Sequence, residues 1–173
     1  MRHHKQAQSM VEFAMIAPFL MVILLMVIDC GRAAYDYATL AGAAREGARA
    51  AITTGTNRPD NNRVIGAVEM NAIGVQLNSG SCINDTPPVA PSMTANTGLV
   101  YVGAGSGNTT TNAPAGQAPS AGGVCGPVVP SYAGHYPLTV TIKYNFQPLT
   151  PLGSQFFPNG IVMTVTSTMD TEY

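Results

Sequence analysis

Hydrophobic and polar positions are distributed unevenly along this chain. From Phe13 to Ile28 the run FAMIAPFLMVILLMVI carries no charge, and Met10 and Val11 extend it to an apolar tract of about 19 positions interrupted only by Glu12. A helix of that length approaches the roughly 30 Å hydrocarbon core of a bilayer. The basic head Met1-Arg2-His3-His4-Lys5 precedes the tract and Asp29 follows it, which favours an N-terminus inside and the remaining chain outside. A cleaved secretory signal would need a small-x-small exit site. Here the run instead continues through Asp29-Cys30-Gly31-Arg32 into more helical sequence. A core helix of a soluble protein would need other segments apolar enough to surround it, and the chain has none. A retained membrane helix is the expectation.

From Asp29 to about Thr53 alanine is abundant and proline absent, so the helix should continue to a stop at Thr54-Gly55. Asp29 with Arg32, Arg32 with Asp36, and Glu46 with Arg49 are spaced to pair on one face. Starting near Ser9, one helix of about 45 residues would run roughly 65 Å, with Pro18 kinking it or locally opening its hydrogen-bond ladder. Between Ala41 and Ala51 small residues fill nearly every position, Gly42 and Gly47 among them. That composition lets helix backbones approach closely, and it equally fits a plain alanine-rich surface.

The remainder reads as a small α+β head, residues 56–173. Asp60-Asn61-Asn62 can cap a second helix from about Asn62 to Leu77, with Val64, Val68, Ala72 and Val75 on one face. A long irregular stretch rich in Gly, Pro, Ser, Thr and Asn follows, from about Asn78 to Ala133, and Thr97–Val102 within it has strand character. Leu138–Phe146 and Ile161–Met169 alternate with period two, which predicts an antiparallel pair with one face on the helices. The predicted fold is therefore a long N-terminal transmembrane helix, a shorter second helix and a small antiparallel sheet with long loops.

Charge sharpens this picture. The formal net charge is −1, so no basic surface points to nucleic acid. Between Met70 and Met169 only Asp85 and Lys143 are expected to be ionised at neutral pH, with His135 as the other candidate. So little charge over such a length fits a surface covered by neighbouring copies, or one that is extracellular and modified.

Of the three cysteines, Cys82 and Cys125 bracket the irregular stretch and would lie in an oxidising exterior, which makes them the expected disulfide. Cys30 is left at the membrane boundary as a small packing residue. Asn84 and Asn108 begin N-x-[ST] patterns and are candidate glycosylation sites. No nucleophile motif, phosphate-cradling loop or spaced metal-ligand set is present, and His3, His4 and His135 lack acid or thiol partners at ligand spacing. Neither an enzyme nor a cofactor is expected.

Glu12 is the informative exception in the apolar tract, because an ionisable group within a span needs a partner or a function. The surrounding run Gln8-Ser9-Met10-Val11-Glu12-Phe13-Ala14-Met15-Ile16-Ala17-Pro18 resembles the N-terminus of type IV pilin-like proteins. It is most similar to the TadE-like family of the tight-adherence (Flp) pilus system. The segment AAREGAR, Ala43–Arg49, resembles a hallmark of that family at the expected distance, and the ending with FQPLTPLG resembles it more loosely.

The resemblance implies a basic leader, residues 1–7, removed by a prepilin peptidase between Ala7 and Gln8. Ala7 stands where the family usually has Gly. The helix would then span residues 8–55, with its membrane part at about 10–29, and Glu12 would be the fifth mature residue. Its partner would be the new α-amine of another subunit, a pair that sets axial register in a filament. With the leader retained, Lys5 or Arg2 would be the nearest cations within one chain. Phe13, Pro18, Gly42 and Gly47 are the positions expected to pack between helices. The implied product is a structural subunit that sits in the cytoplasmic membrane and then self-associates, or co-assembles with other pilins, into a helical cell-surface filament. The alternative is a membrane-anchored minor pseudopilin or assembly component.

Overall fold

Alanine, leucine and methionine are abundant in the first fifty residues, and these good helix formers carry one long helix across Pro18, Gly31, Gly42 and Gly47. In the computed structural model, which describes residues 3–52, 61–78, 94–104 and 135–172, this is α1, His3–Ile52. At 1.5 Å per residue its 50 residues extend about 75 Å. It begins before Ser9, and it remains helical through Pro18.

The other elements are α2 (Asn61–Asn71), β1 (Gln76–Leu77), β2 (Thr97–Ala104), β3 (His135–Phe146), α3 (Pro151–Phe156) and β4 (Ile161–Glu172). The strands form one sheet in the order β1-β2-β3-β4. The predicted antiparallel pair is present, with Leu138 opposite Met169, Ile142 opposite Val165 and Phe146 opposite Ile161. β2 is also antiparallel to β3, whereas β1 runs parallel to β2, so the sheet is mixed rather than wholly antiparallel.

α2 is shorter than its apolar spacing predicts. It stops at Asn71, whose side-chain amide donates back to the Ala67 carbonyl at 2.8 Å. Gly74 then adopts φ +79°, a conformation that ends a right-handed helix and turns the chain. Val75 still reaches the core, and the next two residues add to the sheet edge instead of continuing the helix.

Side chains on the predicted face of β3, from Leu138 to Phe146, are buried against Leu40, Ala43, Ala44 and Ala48 of α1, with Val64 and Val68 of α2 completing the core. Burying each of the larger aliphatics stabilises the head by ~1.5–3 kcal/mol. β4 alternates as expected but lies at the sheet edge. There Val165 is buried, Met163 and Met169 are half-buried, and Ile161 is exposed. Gly47 decides how closely the two helices approach, since a Cβ there would collide with Val68 and contact Val64 O at 3.5 Å. The predicted stop at Thr54-Gly55 lies outside the described residues, as does most of the irregular stretch.

Candidate functional site

α1 divides into two halves with different surroundings. From Leu40 to Ala48 it presents buried residues to α2 and the sheet. From Met10 to Ile28 it presents apolar side chains on every side, and almost all of them are exposed within the chain. A helix that is hydrophobic all round belongs in a core or a membrane, and among the described residues 148–157 approach this half only along Val22, Leu25 and Met26. It is the one helix among the described residues long and apolar enough to cross a bilayer, and none of its most apolar window is buried.

The residues singled out in the sequence are spread along this helix and are not gathered into a pocket. Ala7 and Gln8 lie within the helical backbone. Glu12 is exposed among Met10, Val11 and Phe13. Pro18 is exposed as well. Gly42 is also exposed, and a Cβ there would meet nothing within 4 Å. Gly47 instead packs inside its own chain, against α2. Cys82, Cys125, Asn84 and Asn108 lie outside the described residues. Cys30, expected to fill a gap, is exposed and carries a free thiol.

Where the two halves of α1 meet, the structure builds something that the sequence pattern did not reveal. Asp29 is buried, and its carboxylate accepts three hydrogen bonds from the β3–β4 crossover. The Leu149 amide donates to Oδ1 at 3.1 Å, and the Thr150 amide and hydroxyl donate to Oδ2 at 3.2 and 2.5 Å. Thr150 Oγ1 in turn accepts from the Gly153 amide at 3.1 Å, so one side chain both caps α3 and ties it to α1. Pro151 at the first helical position fits the same start. Gly153 is needed there, because a Cβ would lie 2.9 Å from Thr150 Oγ1 and 3.1 Å from Asp29 Oδ2.

One turn further along α1, the Arg32 guanidinium lies over the Phe146 ring, 5.4 Å from its centroid, and its Nη1 is buried without a hydrogen-bond partner. Asp36 is buried too. Burial pushes its carboxyl above the ordinary value, while the nearby Arg32 charge pulls the other way. The predicted helix-surface pairs around Arg32 are thus drawn into the junction, and Arg32 stacks on the sheet.

Below this tie an apolar groove of about 680 Å³ opens between α1 and the crossover. Val22, Met26 and Cys30 line one wall, and Pro148, Phe156 and Phe157 line the other. Two signals mark the parts of this junction in the sequence, the acid that ends the apolar run and the Thr-Pro start of α3 within QPLTPLG, but neither says that they meet. Among the described residues no group of His, Cys, Asp or Glu could hold a metal ion.

A family model described as TadE-like protein matches residues 7–49, which spans the exposed apolar half of α1 and the AAREGAR segment. The match agrees with the likeness seen in those two motifs, and with the apolar helix it points to a protein associated with the Tad pilus. No curated protein sequence and no solved structure matches the chain.

Proposed function

We propose that this protein is a pilin-like structural subunit, held first in the cytoplasmic membrane with its N-terminus inside and its head outside, and then packed into a helical filament at the cell surface. One observation carries the reading: half of a continuous helix is apolar on all sides and almost wholly exposed among the described residues, while the other half is packed into the head. Such a surface must be covered by lipid or by other helices. Lipid covers it before assembly, and neighbouring copies or co-assembling pilins cover it afterwards.

Glu12 gives the assembly its register. In a filament its carboxylate would lie in an apolar interface, where an unpaired charge is destabilising by several kcal/mol, so it takes a cationic partner or a proton. Processing by a prepilin peptidase between Ala7 and Gln8 would supply that cation as the α-amine of a neighbouring subunit. Phe13, Pro18 and Gly42 are open to contact a neighbouring helix in this arrangement.

The test is Glu12→Leu in the full chain. Membrane insertion should persist, because hydrophobicity rises, while recovery of filaments falls sharply. Wild-type filament yield from this variant would refute the register role. Mass spectrometry of assembled subunits gives the mature N-terminus directly, and retention of residues 1–7 would remove the α-amine as the partner. Insertion without incorporation even in the unaltered protein would favour the minor pseudopilin instead.

A further inference from the structure

We infer that the β3–β4 crossover, residues 147–160, is a membrane-interface foot, which dips into the outer leaflet beside the span and accepts lipid acyl chain in the groove between itself and α1. This rests on the membrane reading above and adds a second point of lipid contact. Three independent observations support it.

The first is depth. Asp29 ends the apolar run and holds Leu149 and Thr150, which fixes the crossover at the outer end of the span. From there the crossover runs back along the apolar run, since its groove is walled by Val22, Leu25 and Met26. The distance from Asp29 back to Val22 is about 10 Å at 1.5 Å per residue. Segments that lie in the interface bury their apolar side by roughly 5–10 Å, so the two depths agree.

The second is composition. The crossover, QPLTPLGSQFFPNG, has no charged residue. Leu149 and Phe156 are each 74% exposed and Phe157 is 49% exposed, contiguous with the bare lower half of α1. Phe and Leu make up the buried apolar side of segments that lie in a membrane interface. In water, a patch that joins these rings to a bare apolar helix would be a liability.

The third is the backbone. Irregular chain enters lipid only when its polar groups are satisfied. The Leu149, Thr150 and Gly153 amides go to Asp29 and Thr150, and those of Gln147, Ser154, Phe157 and Gly160 also donate within the chain. Pro148, Pro151 and Pro158 have no N–H to satisfy. Asp29 and Thr150, the polar groups in the groove wall, are bonded to each other. Little is left there to orient a protein partner, whereas an acyl chain needs no such handle.

The chain contains no tryptophan, which makes a depth measurement direct. Phe156→Trp in the full chain, reconstituted into phosphatidylcholine–phosphatidylglycerol vesicles, places the sole tryptophan on the foot. Leu20→Trp marks the span and Tyr101→Trp marks the head. Phe156→Trp should emit at blue-shifted wavelength and be quenched by lipids brominated at shallow acyl positions more than by those brominated deeply. Leu20→Trp should be quenched by the deep label, and Tyr101→Trp by neither. Water-like, unquenched emission from Phe156→Trp alongside a quenched Leu20→Trp overturns the foot and leaves the span standing. An unquenched Leu20→Trp overturns the membrane reading and the foot together. Blue-shifted emission that resists brominated lipid and reverts on dilution with excess lipid assigns the groove to a second copy, against the proposal. Phe157→Trp repeats the measurement one residue on, in case either substitution disturbs α3.

Discussion

Consider the replacement of Asp29 by alanine. The carboxylate that is lost accepts from two backbone amides and one hydroxyl, all reaching across from a segment about 120 residues later in the chain. Hydrogen bonds to a charged group contribute about 1.5–3 kcal/mol each, and an abandoned buried donor costs roughly 1–3 kcal/mol. The three bonds share one carboxylate, so their values do not add. Losing the shared acceptor and leaving its neutral donors behind should together remove ~2–4 kcal/mol. That is a sizeable part of the 5–15 kcal/mol that separates folded from unfolded domains.

The loss should be local, because the core from Leu40 to Ala48 is untouched. Hydrogen exchange followed by mass spectrometry, on the full chain in detergent micelles, reads it in peptides covering residues 147–157. Since 1.4 kcal/mol is a factor of ten, protection of the Leu149 and Thr150 amides should fall by about two orders of magnitude. Protection in β3 should stay nearly unchanged. Thr150→Val removes the shortest of the three bonds together with the α3 cap, and it should loosen the same peptides. In the double variant the two losses should overlap instead of summing. Unchanged exchange at Leu149 and Thr150 in Asp29→Ala would show that the crossover is held by packing alone, and the account of the tie would be wrong.

Three further expectations follow from the same geometry and sequence. Gly47→Val puts side-chain atoms where Val68 already sits, so it should lower the head's melting temperature by separating α2 from α1, while Gly42→Val, facing open space, should leave it unchanged. Burial raises the Asp36 carboxyl, so the folded chain holds that proton more tightly than the unfolded chain. Stability should therefore fall as pH rises from 3.8 through the raised value, and Asp36→Asn should flatten that part of a melting curve recorded against pH. Cys82 and Cys125 are expected to be bridged, closing a loop that stabilises by up to ~4 kcal/mol in the chain-entropy model. A Cys30→Ser variant whose gel mobility does not change on reduction would count against the bridge.

Much of the architecture could be read from local pattern. The apolar tract and alanine-rich continuation gave one helix, and period-two alternation gave β3 and β4 with the correct buried face. Both depend only on spacing, which the sequence states directly. What stayed hidden depends on residues distant in the chain. α2 was expected to run to Leu77 because its apolar spacing continues, but Gly74 turns the chain and β2 offers Gln76 and Leu77 a strand to join. The spacing places Arg32 beside the acids of its own helix, where its charge acts on Asp36, but its seat over the Phe146 ring depends on a strand more than a hundred residues away. Small residues around Gly47 predict close contact with another helix, and at Gly47 that helix is α2 of the same chain. Asp29 was legible as a boundary charge, whereas its three donors are not, because nothing in a single segment says which loop will fold back onto it.

The continuity of α1 also makes the span and the head one lever. The part of the helix beyond the membrane, from Asp29 to Ile52, is about 36 Å long at 1.5 Å per residue. Transmembrane helices tilt by some 20° on average, and a tilt of that size about Asp29 would swing the far end of α1 through about 12 Å. The sheet and α2 are packed on that same stretch, so they must travel with it. With the span placed in a bilayer as proposed, whatever changes its inclination, whether bilayer thickness or a neighbouring helix, reorients the sheet and α2 together, and the direction in which they point is set from within the membrane.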